Sequence, residues 1–470
     1  MKQTELLSPA GTLKNMRYAF AYGADAVYAG QPRYSLRVRN NDFMEDNLAI
    51  GIKEAHDLGK KFYLTSNLMP HNSKIKTYIH DMRPIIEMGP DALIMADPGL
   101  IMMVRETWPE MPVHLSVQAN TVNYAAVKFW KSVGVERIIL SRELSLDEIK
   151  EIRQECPDME LEVFVHGALC IAYSGRCLLS GYFNHRDPNQ GTCTNACRWD
   201  YKSTAATENA EGVYKPEDTS ASSINSDGVY KPQEHTEQSA QEQGLKVSDM
   251  GDIRHPEADE PMFLTEGKRP DEQMPVEEDE HGTYIMNSKD LRAVEHVKQL
   301  VDIGVDSLKI EGRTKSHYYV ARTAQSYKQA ILDATSGKEF NPELLGVLEN
   351  LANRGYTDGF YKRHHTHEYQ NYMQGNSVSR QQQFVGEVIA YDKATGMADI
   401  DVKNKITVGD KLELIKPSGN EDIILSSMQD MNGKPMEEAR GGGYKIRIPL
   451  DENMAECGLI ARYIDTPIYS

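Results

Sequence analysis

At 470 residues the chain exceeds what a single hydrophobic core usually serves, so two domains are expected. Six cysteines do not make a disulfide scaffold, and no run of about 18 uncharged apolar residues is present, which excludes a disulfide-stapled secreted class and a membrane class and leaves a soluble, cytoplasmic protein as the expectation. A formal charge of −18 would exclude a nucleic-acid partner if it were evenly spread, but 20 acidic and 6 basic residues lie between Ala205 and Gly282, and that net of −14 leaves only −4 for the rest.

From the N-terminus, short apolar runs recur at residues 5–8, 25–29, 61–65, 91–95, 113–117, 137–140 and 161–165, with an eighth at 306–310. Between them lie stretches such as 47–58 and 75–88, whose apolar residues repeat at helical spacing and which Gly59 and Gly89 terminate. Eight βα units predict an α/β fold, a TIM-like (β/α) barrel over residues 1–335, with a doubly wound sheet as the alternative.

Residues 204–282 break the pattern. Rich in Glu, Asp, Ser, Gln and Pro, they hold the near-repeats GluGlyValTyrLysPro (211–216) and AspGlyValTyrLysPro (227–232) and bury too little apolar area to offset chain entropy, so a largely disordered acidic insertion is expected. The aromatic, β-prone stretches at 198–202 and 283–287 are candidates to pair across it as a hairpin. A connecting segment, 336–381, includes the basic and aromatic stretch from Arg354 to His365; residues 382–470 then show short alternating strands, which predict a small C-terminal all-β barrel domain. The aromatics and bases of that stretch and of the small barrel make them the candidate RNA-binding surface.

The strongest chemical signal is the set Cys170, Cys177, Cys193 and Cys197, which begins where the seventh strand ends, on the side of a barrel where active sites are built. Zinc sites usually bring thiolates in tight pairs, and only Cys193 and Cys197 approach that spacing. Four dispersed thiolates suit an iron–sulfur cubane better, with zinc and redox thiols remaining open.

The stretch GluValPheValHisGlyAlaLeuCys, with SerGlyArgCys and CysThrAsnAlaCysArgTrp beyond it, resembles the collagenase-like peptidase family of unknown catalytic type. GluLeuLeuSerProAlaGly (5–11), TyrSerLeuArgValArgAsn (34–40), AsnSerLysAspLeu (287–291) and LysIleGluGlyArg (309–313) match it too, and the likeness spans nearly everything except the acidic insertion. Within the family it is strongest toward members that modify tRNA. That resemblance implies oxygen-independent hydroxylation of the wobble uridine to 5-hydroxyuridine, prephenate as hydroxyl source, and a [4Fe-4S] cluster on the four cysteines.

A dicarboxylate such as prephenate requires cations. Arg37, Arg39, Arg142, Arg176 and Arg313 follow strand ends in this reading, with Lys309 close by; Arg39 and Arg313 are the preferred pair, although each arginine is as readily a fold-stabilising ion pair. His166 is a candidate acid–base group or a satisfied structural histidine. Glu162, expected on one strand face with Phe164 and His166, and Glu311, at another strand end, are candidates to orient substrate. The competing readings are a peptidase, for which neither a HisGluXaaXaaHis helix nor a GlyXaaSerXaaGly elbow is present, and a non-catalytic RNA-binding protein with a structural cluster.

Overall fold

Strands covered on both faces read as continuous apolar runs, and that is how the eight runs above fold. The computed structural model describes residues 4–31, 33–36, 42–169, 201–208, 214–216, 262–266, 269–276, 290–351, 355–362, 382–451 and 454–464. Seven strands come first: β1 (Glu5–Pro9), β2 (Ala26–Gly30), β3 (Lys61–Ser66), β4 (Ala92–Met95), β5 (Val113–Leu115), β6 (Arg137–Ile139) and β7 (Glu160–Ala168). Each pairs in parallel with the next.

The segment 198–287 is a unit of its own. Within it β8 (Tyr201–Glu208), β9 (Tyr214–Pro216), β10 (Met262–Glu266) and β11 (Arg269–Val276) form an antiparallel sheet in the order β11-β10-β8-β9, and most of residues 204–282, the expected disordered insertion, lies outside the described residues. Of the two stretches expected to pair as a hairpin, Tyr201 and Lys202 pair with Glu266 and Thr265 of β10, and residues 283–287 lie outside the described residues. Each strand of β10 and β11 satisfies its backbone against a neighbour close in sequence, which needs no large apolar core.

After the short β12 (Asp290–Arg292) comes β13 (Ser307–Ile310), the eighth barrel strand. It pairs in parallel with both β7 and β1, so the sheet closes and the doubly wound alternative is excluded. Crossover helices cover the ring: α1 (Leu13–Ala21), α2 (Glu45–Asp57), α3 (Asn72–Glu87), α4 (Pro98–Thr107), α5 (Tyr124–Ser132), α6 (Leu146–Glu155), α7 (Val297–Ile303) and α8 (His317–Thr335). Their starts are set by local chemistry: Thr12, Asn123 and Ser316 accept backbone N–H bonds as N-caps, Asp97 does so with Pro98 following, and Ser145 with Glu148 closes a capping box.

The C-terminal part is a strand-rich antiparallel domain curled as a half-barrel. Its eight-stranded sheet runs from Glu421–Ile424 at one edge to Pro435–Met436 at the other, around the long strand Gln382–Asp392 and a core that includes Val388, Ile400, Ile446 and Ile460. It packs on α1 and α8: Arg322 makes a two-pronged bond to Glu413 at 3.1 and 3.0 Å, Phe384 stacks on Tyr318, and the Tyr22 hydroxyl donates to the carbonyls of Ile415 and Cys457.

Candidate active site

Inside the ring, charged side chains rise along the strands. On the floor, Arg137 at the start of β6 donates to Glu5 of β1 at 2.6 Å and to Glu160 of β7 at 2.9 Å. One step up, Glu162 is fully buried between Arg137, at 3.2 Å, and the ammonium of Lys309, at 2.8 Å. Burial pulls the pKa of Lys309 below that of an ordinary lysine, and the charge of Glu162 opposes the fall. The Lys309 Nζ also stands 4.3 Å from the centre of the Tyr28 ring, which returns some of the electrostatic attraction lost with water.

Above this pair the next layer is Phe164, with the Arg142 guanidinium 3.9 Å from its ring centre. Arg142 donates from Nη1 to the Ala168 carbonyl at 2.7 Å, and its Nη2 lies 3.9 Å from Glu311, beside the Tyr28 hydroxyl. At the rim, Arg313 donates from Nη1 to Ser35 at 2.7 Å and Thr65 at 2.9 Å and from Nη2 to the Leu36 carbonyl. It enters over Gly30, where any Cβ would stand 2.5 Å from its Nη1. Lys309, Arg142, Glu311 and Arg313 are thus brought together at the end of the barrel where the strands finish. Arg313 holds the chain after β2 in place rather than projecting alone.

His166 corrects an expectation. Opposite β13 the register passes from Lys309–Phe164 to Ile310–His166, leaving Val165 as an extra residue, and a β-bulge of this kind turns the following side chain to the other face. His166 therefore does not share the face of Glu162 and Phe164. Its ring packs among Tyr319 and Tyr327 of α8 and Tyr356, its Nδ1 3.3 Å from the Tyr327 hydroxyl, and its Nε2 has no hydrogen-bond partner among the described residues. Burial holds its pKa at about 3, so the ring is neutral at physiological pH. Neighbouring hydroxyls pin the same stretch: Tyr361 donates to the Phe164 carbonyl, Tyr327 to that of Val165 and Tyr319 to that of Glu311.

Two glycines allow this close approach. Gly167 has φ +103°, and a Cβ there would stand 2.4 Å from the Glu311 carbonyl oxygen; Gly312 has φ +154°, and a Cβ would stand 2.7 Å from the Tyr319 ring. β7 ends at Ala168, so the chain leaves the barrel two residues before Cys170. Cys170, Cys177, Cys193, Cys197, Arg37, Arg39 and Arg176 lie outside the described residues, as do Arg354 and residues 363–365. Among the described residues no group of three His, Cys, Asp or Glu side chains is disposed to hold a metal. Sequence reading missed the floor network of Glu5, Arg137 and Glu160, whose available signal was an arginine opening an apolar run.

Two family models account for most of the chain. Peptidase family U32 matches residues 11–371, and the Peptidase family U32 C-terminal domain matches residues 380–462. The chain belongs to peptidase family U32. Its relatives include a protein of Escherichia coli K12 named tRNA hydroxylation protein P, 58% identical over 97% of this chain and 95% of the relative. The protein of the same name from Haemophilus influenzae Rd is 56% identical over 98% and 97%. A protein of Porphyromonas gingivalis W83 named collagenase is 25% identical over 98% and 97%. No helix among the described residues is long and apolar enough to cross a membrane.

Proposed function

We propose that this chain hydroxylates tRNA, converting the wobble uridine to 5-hydroxyuridine without oxygen, with prephenate as hydroxyl donor and a [4Fe-4S] cluster on Cys170, Cys177, Cys193 and Cys197. The observation that carries this reading is 58% identity across 97% of the chain to a protein named for tRNA hydroxylation. The charge arrangement inside the barrel supports it.

Uridine is a poor electron donor at C5, so its hydroxylation depends on positioning of the oxygen donor. Arg142 and Lys309 are the cations for a dicarboxylate: Arg142 offers a planar fork 3.9 Å from Glu311, and Lys309 a compact charge bonded to Glu162. Glu311 accepts a hydrogen bond from the hydroxyl of the donor and repels its carboxylates, so that the hydroxyl-bearing end is the one that faces it. Phe164 and Tyr28 form apolar walls that exclude water and strengthen those contacts. Arg313, through Ser35, Thr65 and Leu36, keeps the rim in shape, and Arg39 is its proposed partner on the co-substrate. His166, neutral and clamped by tyrosines, fixes the strand that leads into the cysteine segment. Four soft thiolates within 28 residues, beginning two residues past a barrel strand, are a donor set suited to iron and sulfide. When bound, such a cluster supplies redox or Lewis-acid chemistry.

The test is mass analysis of tRNA nucleosides from cells lacking the protein, complemented with the wild-type chain or with Cys177→Ala. Loss of 5-hydroxyuridine-derived nucleosides, restored only by the wild type, is expected. Undiminished modification in the deletion strain overturns the reading, and modification sustained by a folded Cys177→Ala chain assigns the cluster a structural role. The collagenase relative favours a second reading as a peptidase, which cleavage of collagen peptides by a chain lacking all four cysteines would support.

A further inference from the structure

Part of the barrel mouth is uncharged and has no share in holding a dicarboxylate. From the end of β3 round to the end of β6 it offers the carboxamides and hydroxyls of Asn67, Ser116, Gln118, Asn120 and Ser141, while Asp97, in the same arc, is turned to cap α4 through the Leu100 N–H. A pyrimidine base is itself uncharged at neutral pH. It is told from other bases by the donors and acceptors along its edge, the groups that carboxamides and hydroxyls match.

The chain after β5 is built to present one of these side chains. Ser116 accepts from the Gln118 N–H at 3.4 Å and from Asn67 Nδ2 at 3.3 Å, and the 3-10 turn Val117–Ala119 closes with the Asn120 N–H on the Val117 carbonyl at 2.9 Å. Asn67 is fixed in turn by the Leu36 N–H at 3.1 Å, in the stretch that Arg313 holds. Asn120 then takes φ +53°, a left-handed conformation that, glycines aside, only Cys457 shares among the described residues. Asparagine tolerates it better than most residues, but glycine would take it without strain, so a side chain stands here at some cost.

That side chain is half engaged. Its Oδ1 accepts from the Ser141 hydroxyl at 2.7 Å, the separation of an O–H···O bond, which turns the two Nδ2 donors the other way, where no described residue accepts from them. The Ser141 N–H donates to the Thr121 carbonyl at 3.1 Å and ties the turn to the end of β6. The next residue is Arg142, whose guanidinium stands 3.9 Å from the Phe164 ring centre, with Nη2 3.9 Å from Glu311. The open amide thus adjoins the charged pocket.

We propose that Asn120 selects the target base, donating from Nδ2 to the O4 carbonyl of uracil. O4 sits on the carbon next to C5, so a donor at this point holds C5 toward Arg142, where the oxygen donor binds in the reading above. Cytosine carries an amino group in place of O4, which sets donor against donor and rejects it. This rests on the tRNA reading and adds how the uridine is chosen.

The experiment measures binding of two transcripts of one tRNA, with uridine or cytidine at the wobble position, by fluorescence anisotropy. Alongside it, tRNA nucleosides are analysed from deletion cells complemented with each variant. The wild-type chain should prefer the uridine transcript by about tenfold. Asn120→Gly should erase that preference without lowering the melting temperature, since glycine accepts the left-handed turn, and should cut 5-hydroxyuridine-derived nucleosides about tenfold. Asn120→Asp retains an oxygen for Ser141 but presents an acceptor, and should favour the cytidine transcript. An unchanged preference in Asn120→Gly, or a wild-type chain that binds both transcripts equally, overturns the role of Asn120 and leaves the hydroxylation reading standing. Deletion cells that keep their 5-hydroxyuridine-derived nucleosides overturn both.

Discussion

Glu162 is the residue on which the barrel interior turns. It is fully buried between two cations, so removing it strands Lys309 away from water and takes from Arg137 one of its three carboxylate partners. Glu162→Ala should therefore cost about 3–5 kcal/mol in urea unfolding. Replacing the pair together, as Glu162→Leu with Lys309→Met, should recover much of that stability while abolishing hydroxylation, because the fold needs only filled volume there and the proposed dicarboxylate co-substrate needs charge. A loss below about 1 kcal/mol for Glu162→Ala would mean that water reaches the pair.

At the level of elements, the junction of β7 and β13 sets the site. The Gly167 backbone passes so near Glu311 that Gly167→Ala must either push the two strands apart or abandon its left-handed conformation. A cost of at least about 1–3 kcal/mol in thermal unfolding is expected, with lower hydroxylation in the folded fraction; full stability and activity would show that the junction yields. The sequence made the strands themselves readable, because burial on both faces leaves an apolar run wherever one forms. Closure was readable only through the count of eight units, since β13 itself would look the same at the edge of an open sheet. The orientation of His166 was hidden for a similar reason: one extra residue, Val165, reverses the alternation without changing composition. Arg137, Glu5 and Glu160 open or flank apolar runs and read as solvated strand ends until the ring closes around them. Gly167 and Gly312, by contrast, stood inside the recognised motifs, and the structure supplies the physical reason for their lack of a side chain.

Over the whole molecule, the half-barrel is held to the barrel by ion pairs as well as by apolar contact. Glu387 receives Lys14 at 2.5 Å and His317 at 2.9 Å. Burial would raise its pKa, but the hydrogen bonds from His317 and Lys14 and the Lys14 charge outweigh it and hold the carboxyl at about 2, below the ordinary 4.5. Because the folded value is depressed, the stabilisation is complete above pH 4.5 and is lost as pH falls through 2. The wild-type chain should thus lie above Glu387→Gln in melting temperature at neutral pH, with the gap closing over that acidic window. Parallel profiles down to pH 2 would remove Glu387 from the junction.

Ring closure also orders events during synthesis. Ser307–Ile310 is the strand that bridges β7 and β1, and it is translated 110 residues after Cys197 (307 less 197). The four thiolates therefore leave the ribosome while the hydrogen-bonding edges of β1 and β7 are still unsatisfied. Were the proposed cluster assembled during that interval, its iron would meet a sheet still open between β1 and β7; assembled later, it would meet a closed ring.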